Sequence, residues 1–81
     1  MTSSGKVTRI TNVEIEDSAH KHSIPDEDMI HAVENAMFVH FFDDYRMLVG
    51  PARNGALLEI GVNLRQQIFH AMKARPKFLR R

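Results

Sequence analysis

The apolar pattern of this chain changes period near Ala36, and that change limits the folds open to it. Before it, Met29, Ile30, Val33 and Met37 form a single stripe at helical spacing, while Asp28, His31, Glu34 and Asn35 fall mainly outside the stripe. After it, Met37-Phe38-Val39-His40-Phe41-Phe42 is β-branched and aromatic and runs into the turn-forming pair Asp43-Asp44. The helix start is marked by Ser23-Ile24-Pro25-Asp26-Glu27-Asp28. It offers a capping serine or neighbour, a proline in the first turn where a missing N–H costs nothing, and acids beside the positive end of the helix dipole. The helix is expected to end near Asn35 or Ala36.

Strand signals fill the remainder. Residues 45–49 read as the return strand of a hairpin, 50–55 as a loop closed by Asn54-Gly55, 56–62 as a third strand, 63–67 as a connection and 68–72 as a fourth strand, with Pro76 ending regular pairing. Upstream, β-branched residues between Lys6 and Ile15 suggest a short strand around 13–15, and Asp17 or Ser18 is placed to cap a helical turn through Ala19, His20, Lys21 and His22. The sum is an α+β fold: one or two N-terminal helices packed on one face of a mostly antiparallel four-stranded sheet. Residues 1–12 read as a flexible N-terminal segment and 13–81 as a single domain.

A chain of 81 residues buries only about 60 to 65 percent of its unfolded surface, so its core is thin and cannot be divided. With no cysteine, disulfides and thiolate metal sites are excluded and packing alone must hold it. No stretch approaches the roughly 18 apolar residues of a membrane span, and no apolar signal segment opens the sequence. A cytoplasmic location and no membrane partner are expected.

The net charge of +1 conceals a polarity along the chain. Of the 10 acids, all but Glu59 lie between Glu14 and Asp44, whereas Arg65, Lys73, Arg75, Lys77, Arg80 and Arg81 share the C-terminal stretch with no acid. That distribution predicts a positive face suited to a polyanion. Within it, His70 to Met72 reads as a strand end that aims side chains, and Arg75 to Arg81 as a more mobile clamp.

The 5 histidines give no spacing that matches a zinc signature, and no cofactor motif is present, so neither metal nor cofactor is expected. His31 reads as a solvated helix position and His40 as a half-buried strand position. Lys21, His22 and His70 stand out because each lies at the end of an expected element beside other cations. Metal-free cleavage of RNA needs a base for the 2′-hydroxyl proton, cations for charge growing on the phosphoryl oxygens, and an acid for the departing 5′-oxygen. Histidine, lysine and arginine divide those roles, so His22, His70, Lys21 and Arg75 are the catalytic candidates. Arg46, Arg53, Lys73 and Lys77 are candidate phosphate contacts. Phe78 is either a base-stacking ring or, more often for such a residue, a core plug.

Several short stretches carry a family likeness: Lys21-His22-Ser23-Ile24, the acidic helix opening at Pro25, Asp43-Asp44 with Tyr45-Arg46-Met47-Leu48-Val49-Gly50, Asn54-Gly55-Ala56-Leu57-Leu58-Glu59-Ile60, and Ile68-Phe69-His70-Ala71-Met72. In that order they resemble the BrnT-type toxins, small members of the RelE/ParE superfamily. The resemblance spans roughly residues 13–78. It implies a sheet with helices against it, metal-independent endoribonuclease activity that arrests translation, and neutralisation by a cognate DNA-binding antitoxin. Lys21 and His22 match the family's Lys-His pair. The family pattern has glycine where this chain has Ser23, and Ile-Ser-Ala-Arg where it has Phe69-His70-Ala71-Met72, so Arg75 or Lys73 would supply the missing cation and His70 a proton-transfer group. A non-catalytic nucleic-acid- or protein-binding module is the competing reading, because binding tolerates the loss of that arginine. Homodimer and toxin–antitoxin hetero-oligomer both stay open.

Overall fold

A computed structural model of the chain describes residues 14–79. The chain forms strand β1 (Glu14–Ile15), a 3-10 turn (Asp17–His20), helix α1 (Asp26–Glu34), strands β2 (Phe38–Phe41), β3 (Tyr45–Pro51), β4 (Leu57–Asn63) and β5 (Gln67–Lys73), and a closing 3-10 turn (Pro76–Phe78). One helix packs on a five-stranded sheet of order β1-β5-β4-β3-β2. The architecture is α+β, as expected, but the sheet has five strands rather than four and is mixed. The fifth strand is β1, the short strand expected around residues 13–15, which joins the sheet parallel to β5 with Glu14 opposite Gln67 and Ile15 opposite Ile68. It is held by the Glu16 N–H on the Ile68 carbonyl at 2.8 Å and by Gln67 Nε2 on Glu14 Oε1 at 2.9 Å. The expected flexible segment, residues 1–12, lies outside the described residues. No helix among the described residues is long and apolar enough to cross a membrane.

Helix α1 begins where proline and the acids indicate, though without a capping serine. Pro25 occupies the cap position in extended conformation, and its carbonyl accepts the N–H groups of Asp28 and Met29 at 3.0 and 3.1 Å. Ser23 instead sits two residues earlier at φ 61°, in the left-handed region that favours glycine. At the far end the Asn35 side chain donates to the His31 carbonyl at 2.9 Å and stops the helix. Because the chain leaves helical geometry there, Met37 does not continue the stripe and is 58% exposed. The buried face is Met29 and Ala32, with Val33 and Ala36 half-buried beside them. Close approach of helix and sheet depends on Gly50. A Cβ there would overlap the Ala32 carbonyl oxygen and lie 2.9 Å from the carbonyl carbon, inside contact distance of both.

Strand alternation divides the apolar residues between two faces. On the helix side, Leu48, Leu58, Ile60, Val62, Ile68 and Ala71 meet Met29, Ala32 and Ala19. Full burial of a side chain such as Met29, Ile60 or Ile68 stabilises by about 1.5–3 kcal/mol. On the other side, Met47 and Val49 are covered by Phe78, with Phe38, Tyr45, Leu57 and Ala74 around them. The C-terminal segment is therefore not a mobile clamp as far as Leu79: Pro76 turns the chain back and Phe78 plugs the second face. Arg80 and Arg81 lie outside the described residues.

An irregularity between Gly61 and Val62 shifts the β4–β5 register, so that Gly61 pairs with His70 and Val62 with Ile68. A bulge of this kind re-aims side chains locally. Here Phe69 and His70, neighbours in sequence, both crowd the space a Cβ on Gly61 would fill, at 2.9 and 3.1 Å. Both rings thus lie over the second face.

Candidate active site

The residue that organises this face is Glu59. It is the one acid outside the acidic half of the sequence, it lies mid-strand in an apolar run, and its exposure is 0%. Five hydrogen bonds converge on its carboxylate. Oε1 accepts the Arg75 backbone N–H at 3.0 Å and Arg75 Nε at 3.1 Å; Oε2 accepts Arg75 Nη2 at 2.7 Å, Arg75 Nε at 3.2 Å and His70 Nε2 at 2.8 Å. Burial by itself would push the carboxyl up, but the bonds from Arg75 and His70 outweigh it and hold Glu59 below the usual carboxylate range. The same pairing raises the Arg75 guanidinium above its ordinary value.

An ionised carboxylate only accepts, so the His70 nitrogen facing it must carry a proton. In the neutral ring the remaining nitrogen, Nδ1, is then the proton acceptor, and a proton taken there leaves an imidazolium stabilised by Glu59. This is the carboxylate–imidazole arrangement by which a histidine is oriented as a base. Beside it stands His22, whose ring centroid is 6.1 Å from that of His70 at 79°. Among the described residues the His22 ring nitrogens and Arg75 Nη1 make no hydrogen bond, which leaves them for a ligand.

The other histidines serve the fold. His20 Nε2 meets Asp26 Oδ1 at 2.7 Å, His31 Nδ1 donates to the Pro51 carbonyl at 2.8 Å, and His40 Nε2 donates to the Phe78 carbonyl at 3.0 Å. Of the catalytic candidates, His22, His70 and Arg75 are brought to one region, Arg75 pinned rather than free, while Lys21 is an exposed residue of the turn that precedes His22. The phosphate candidates are scattered. Arg46 shares the helix side of the sheet and donates to Gln66 Oε1 at 3.0 Å. Arg53, in the β3–β4 loop, is bound to Asp28 at 2.7 Å, which raises the guanidinium and lowers the carboxyl. Lys73 is exposed and pairs with Leu58, whose side faces the helix. Lys77 lies with Nζ 5.1 Å from the Phe78 ring centroid, and Arg75 Cζ is 5.4 Å from it. Phe78 itself is 7% exposed and serves as a plug, so it presents no ring for a base to stack on.

Sequence reading missed Glu59. The available signal was a lone carboxylate inside the apolar run Ala56-Leu57-Leu58-Glu59-Ile60, a position that demands a buried partner. Among the described residues no three histidine or acid side chains cluster as metal ligands do. No family model, no curated protein and no solved structure matches the chain.

Proposed function

We propose that the chain is a metal-independent endoribonuclease, the toxin of a bacterial type II toxin–antitoxin pair with a RelE/ParE-like fold that acts on cytoplasmic RNA. The observation that carries this reading is the buried Glu59 fixing His70 with Nδ1 free, beside His22 and Arg75. In the reaction His70 Nδ1 takes the 2′-hydroxyl proton, the 2′-oxygen attacks phosphorus, and the bond to the 5′-oxygen breaks. His22 donates a proton to that oxygen, while Arg75 Nη1 and Lys21 face the phosphoryl oxygens. The products are a 2′,3′-cyclic phosphate and a 5′-hydroxyl. The purified chain should cut single-stranded RNA in the presence of a chelator and leave cyclic phosphate ends. His70→Ala should slow cleavage about 100-fold or more. Intact RNA with the parent chain refutes the assignment.

A second reading, a non-catalytic protein-binding module, draws on the edge strand β2. Phe41 is 76% exposed, Met37 58%, Phe42 45% and Val39 43%, around a cleft of about 570 Å³. An edge with apolar side chains accepts an extended segment by strand addition, and a toxin also needs such a surface for its antitoxin. Phe41→Asp should abolish partner binding and spare cleavage under the first reading. Under the second there is no cleavage to spare.

A further inference from the structure

The bulge that aims His70 also places Phe69 against a groove of about 520 Å³ lined by Glu16, Ser18, Asp44, Tyr45, Asn63 and Phe69. The Tyr45 and Phe69 rings meet edge to face at 5.5 Å, and the Phe69 and His70 centroids are 6.4 Å apart, so the groove adjoins the proposed reaction centre. Its serine and asparagine side chains are already used. Ser18 Oγ donates to the Phe69 carbonyl at 2.7 Å; Asn63 Nδ2 donates to Gln67 Oε1 at 2.9 Å, and Asn63 Oδ1 accepts the N–H groups of Arg65 and Gln67. The Glu16 and Asp44 side chains, by contrast, make no hydrogen bond or ion pair among the described residues. What the groove offers a ligand is thus an aromatic wall and carboxylate acceptors.

Resting on the nuclease reading, we infer that this groove holds a guanine base next to the scissile phosphate, with Glu16 accepting from its base edge, Phe69 stacking on it and Tyr45, perpendicular to Phe69 and stacked on Phe42, bounding the groove. The choice of base follows from donor count. A carboxylate presents two acceptors side by side, and of the four RNA bases only guanine offers two adjacent donors, N1–H and N2–H, on its pairing edge. Cytosine and adenine set an acceptor beside their amino group, and uracil flanks its single donor with carbonyls. Stacking supplies affinity without sequence preference, and the carboxylate supplies the choice. The division of charge agrees with this: Arg75 lies on the phosphate side, with Glu59 and His70, and the unpaired acids line the groove that takes the base.

The test is nuclear magnetic resonance titration of the labelled chain with the 3′-monophosphates of guanosine, inosine, adenosine, cytidine and uridine, and with tetramethylammonium as a cation probe. Guanosine should bind about tenfold tighter than adenosine, cytidine or uridine, with inosine between them and shifts centred on Glu16, Tyr45 and Phe69. Glu16→Gln should remove the preference, Phe69→Leu should weaken all five nucleotides, and His70→Ala should leave the preference in place. Equal affinities, a preference that survives Glu16→Gln, or guanosine monophosphate and tetramethylammonium binding together without competition would each overturn the assignment. Failure of the two readings is separable. Guanine preference in a chain that cuts no RNA defeats the nuclease and keeps the groove, whereas cleavage without base preference does the reverse.

Discussion

Replacing Glu59 with glutamine keeps the side chain's volume and removes its charge, and the geometry predicts a large effect. Both carboxylate oxygens are acceptors, Oε1 of two Arg75 N–H groups and Oε2 of Arg75 and His70. Wherever the amide nitrogen is placed, it confronts at least one N–H donor of Arg75 that cannot turn into an acceptor; only His70 can adapt, by changing tautomer. At least two charge-assisted hydrogen bonds are lost, at about 1.5 kcal/mol each, for a total of about 3 kcal/mol. For a domain of this size that lowers the melting temperature by roughly 12–24 °C. The loss should also depend on pH with a definite sign. Because the folded-state pKa of Glu59 lies below its ordinary value of 4.5, the group contributes stability above that value and loses it as pH falls through the folded pKa. The gap between parent and variant should therefore be full at neutral pH and close in acid, where the parent carries a neutral carboxyl. Urea unfolding of both proteins across that range measures it. Equal stability at pH 7, or a gap that does not change with pH, refutes this account of Glu59.

Two further variants probe the backbone. Gly50→Ala drives a methyl group into the Ala32 carbonyl, and should cost about 3 kcal/mol in chemical denaturation because helix α1 must lift from the sheet. Ser23→Gly removes the cost of a side chain at φ 61°. It should raise stability by about 0.5 kcal/mol, the net of roughly 1–2 kcal/mol of relieved strain and the extra chain entropy of glycine, read as a small upward shift in the melting temperature.

Much of this fold was legible because local chemistry and tertiary structure agree. Pro25 with its three following acids sets the start of α1 within a residue, and the aromatic and β-branched run after Ala36 marks β2. What was not legible is what depends on distant partners. The β-branched residues around 13–15 did mark strand β1, but not its place in the sheet, because its parallel partner β5 lies more than 50 residues later (Glu14 pairs with Gln67). The bulge at Gly61/Val62 defeats alternation, which from sequence would send Phe69 and His70 to opposite faces. The site divides the same way. His22, Lys21, His70 and Arg75 share a basic and histidine-bearing character that shows in the sequence, but the carboxylate that holds His70 and Arg75 belongs to an apolar strand and shows only once its burial is known.

A buried charge at Glu59 is not what stability alone would select. An apolar side chain of similar volume in place of a buried ion is often neutral or stabilising, and a chain of 81 residues with a thin core has reason to prefer one. The Asp28–Arg53 pair provides the contrast. It joins the β3–β4 loop to α1 at the surface, with Arg53 56% exposed, and the histidine near it, His31, is tied to the Pro51 carbonyl. The Glu59 cluster does more than tie two elements together, since it fixes the tautomer of His70 and engages one edge of Arg75, while His70 Nδ1 and Arg75 Nη1 make no hydrogen bond among the described residues. A buried charge whose hydrogen bonds orient groups that keep open donors and acceptors of their own is what the proposed reaction requires, and in this fold it lies beside the β4–β5 bulge, with Arg75 leading directly into the C-terminal plug.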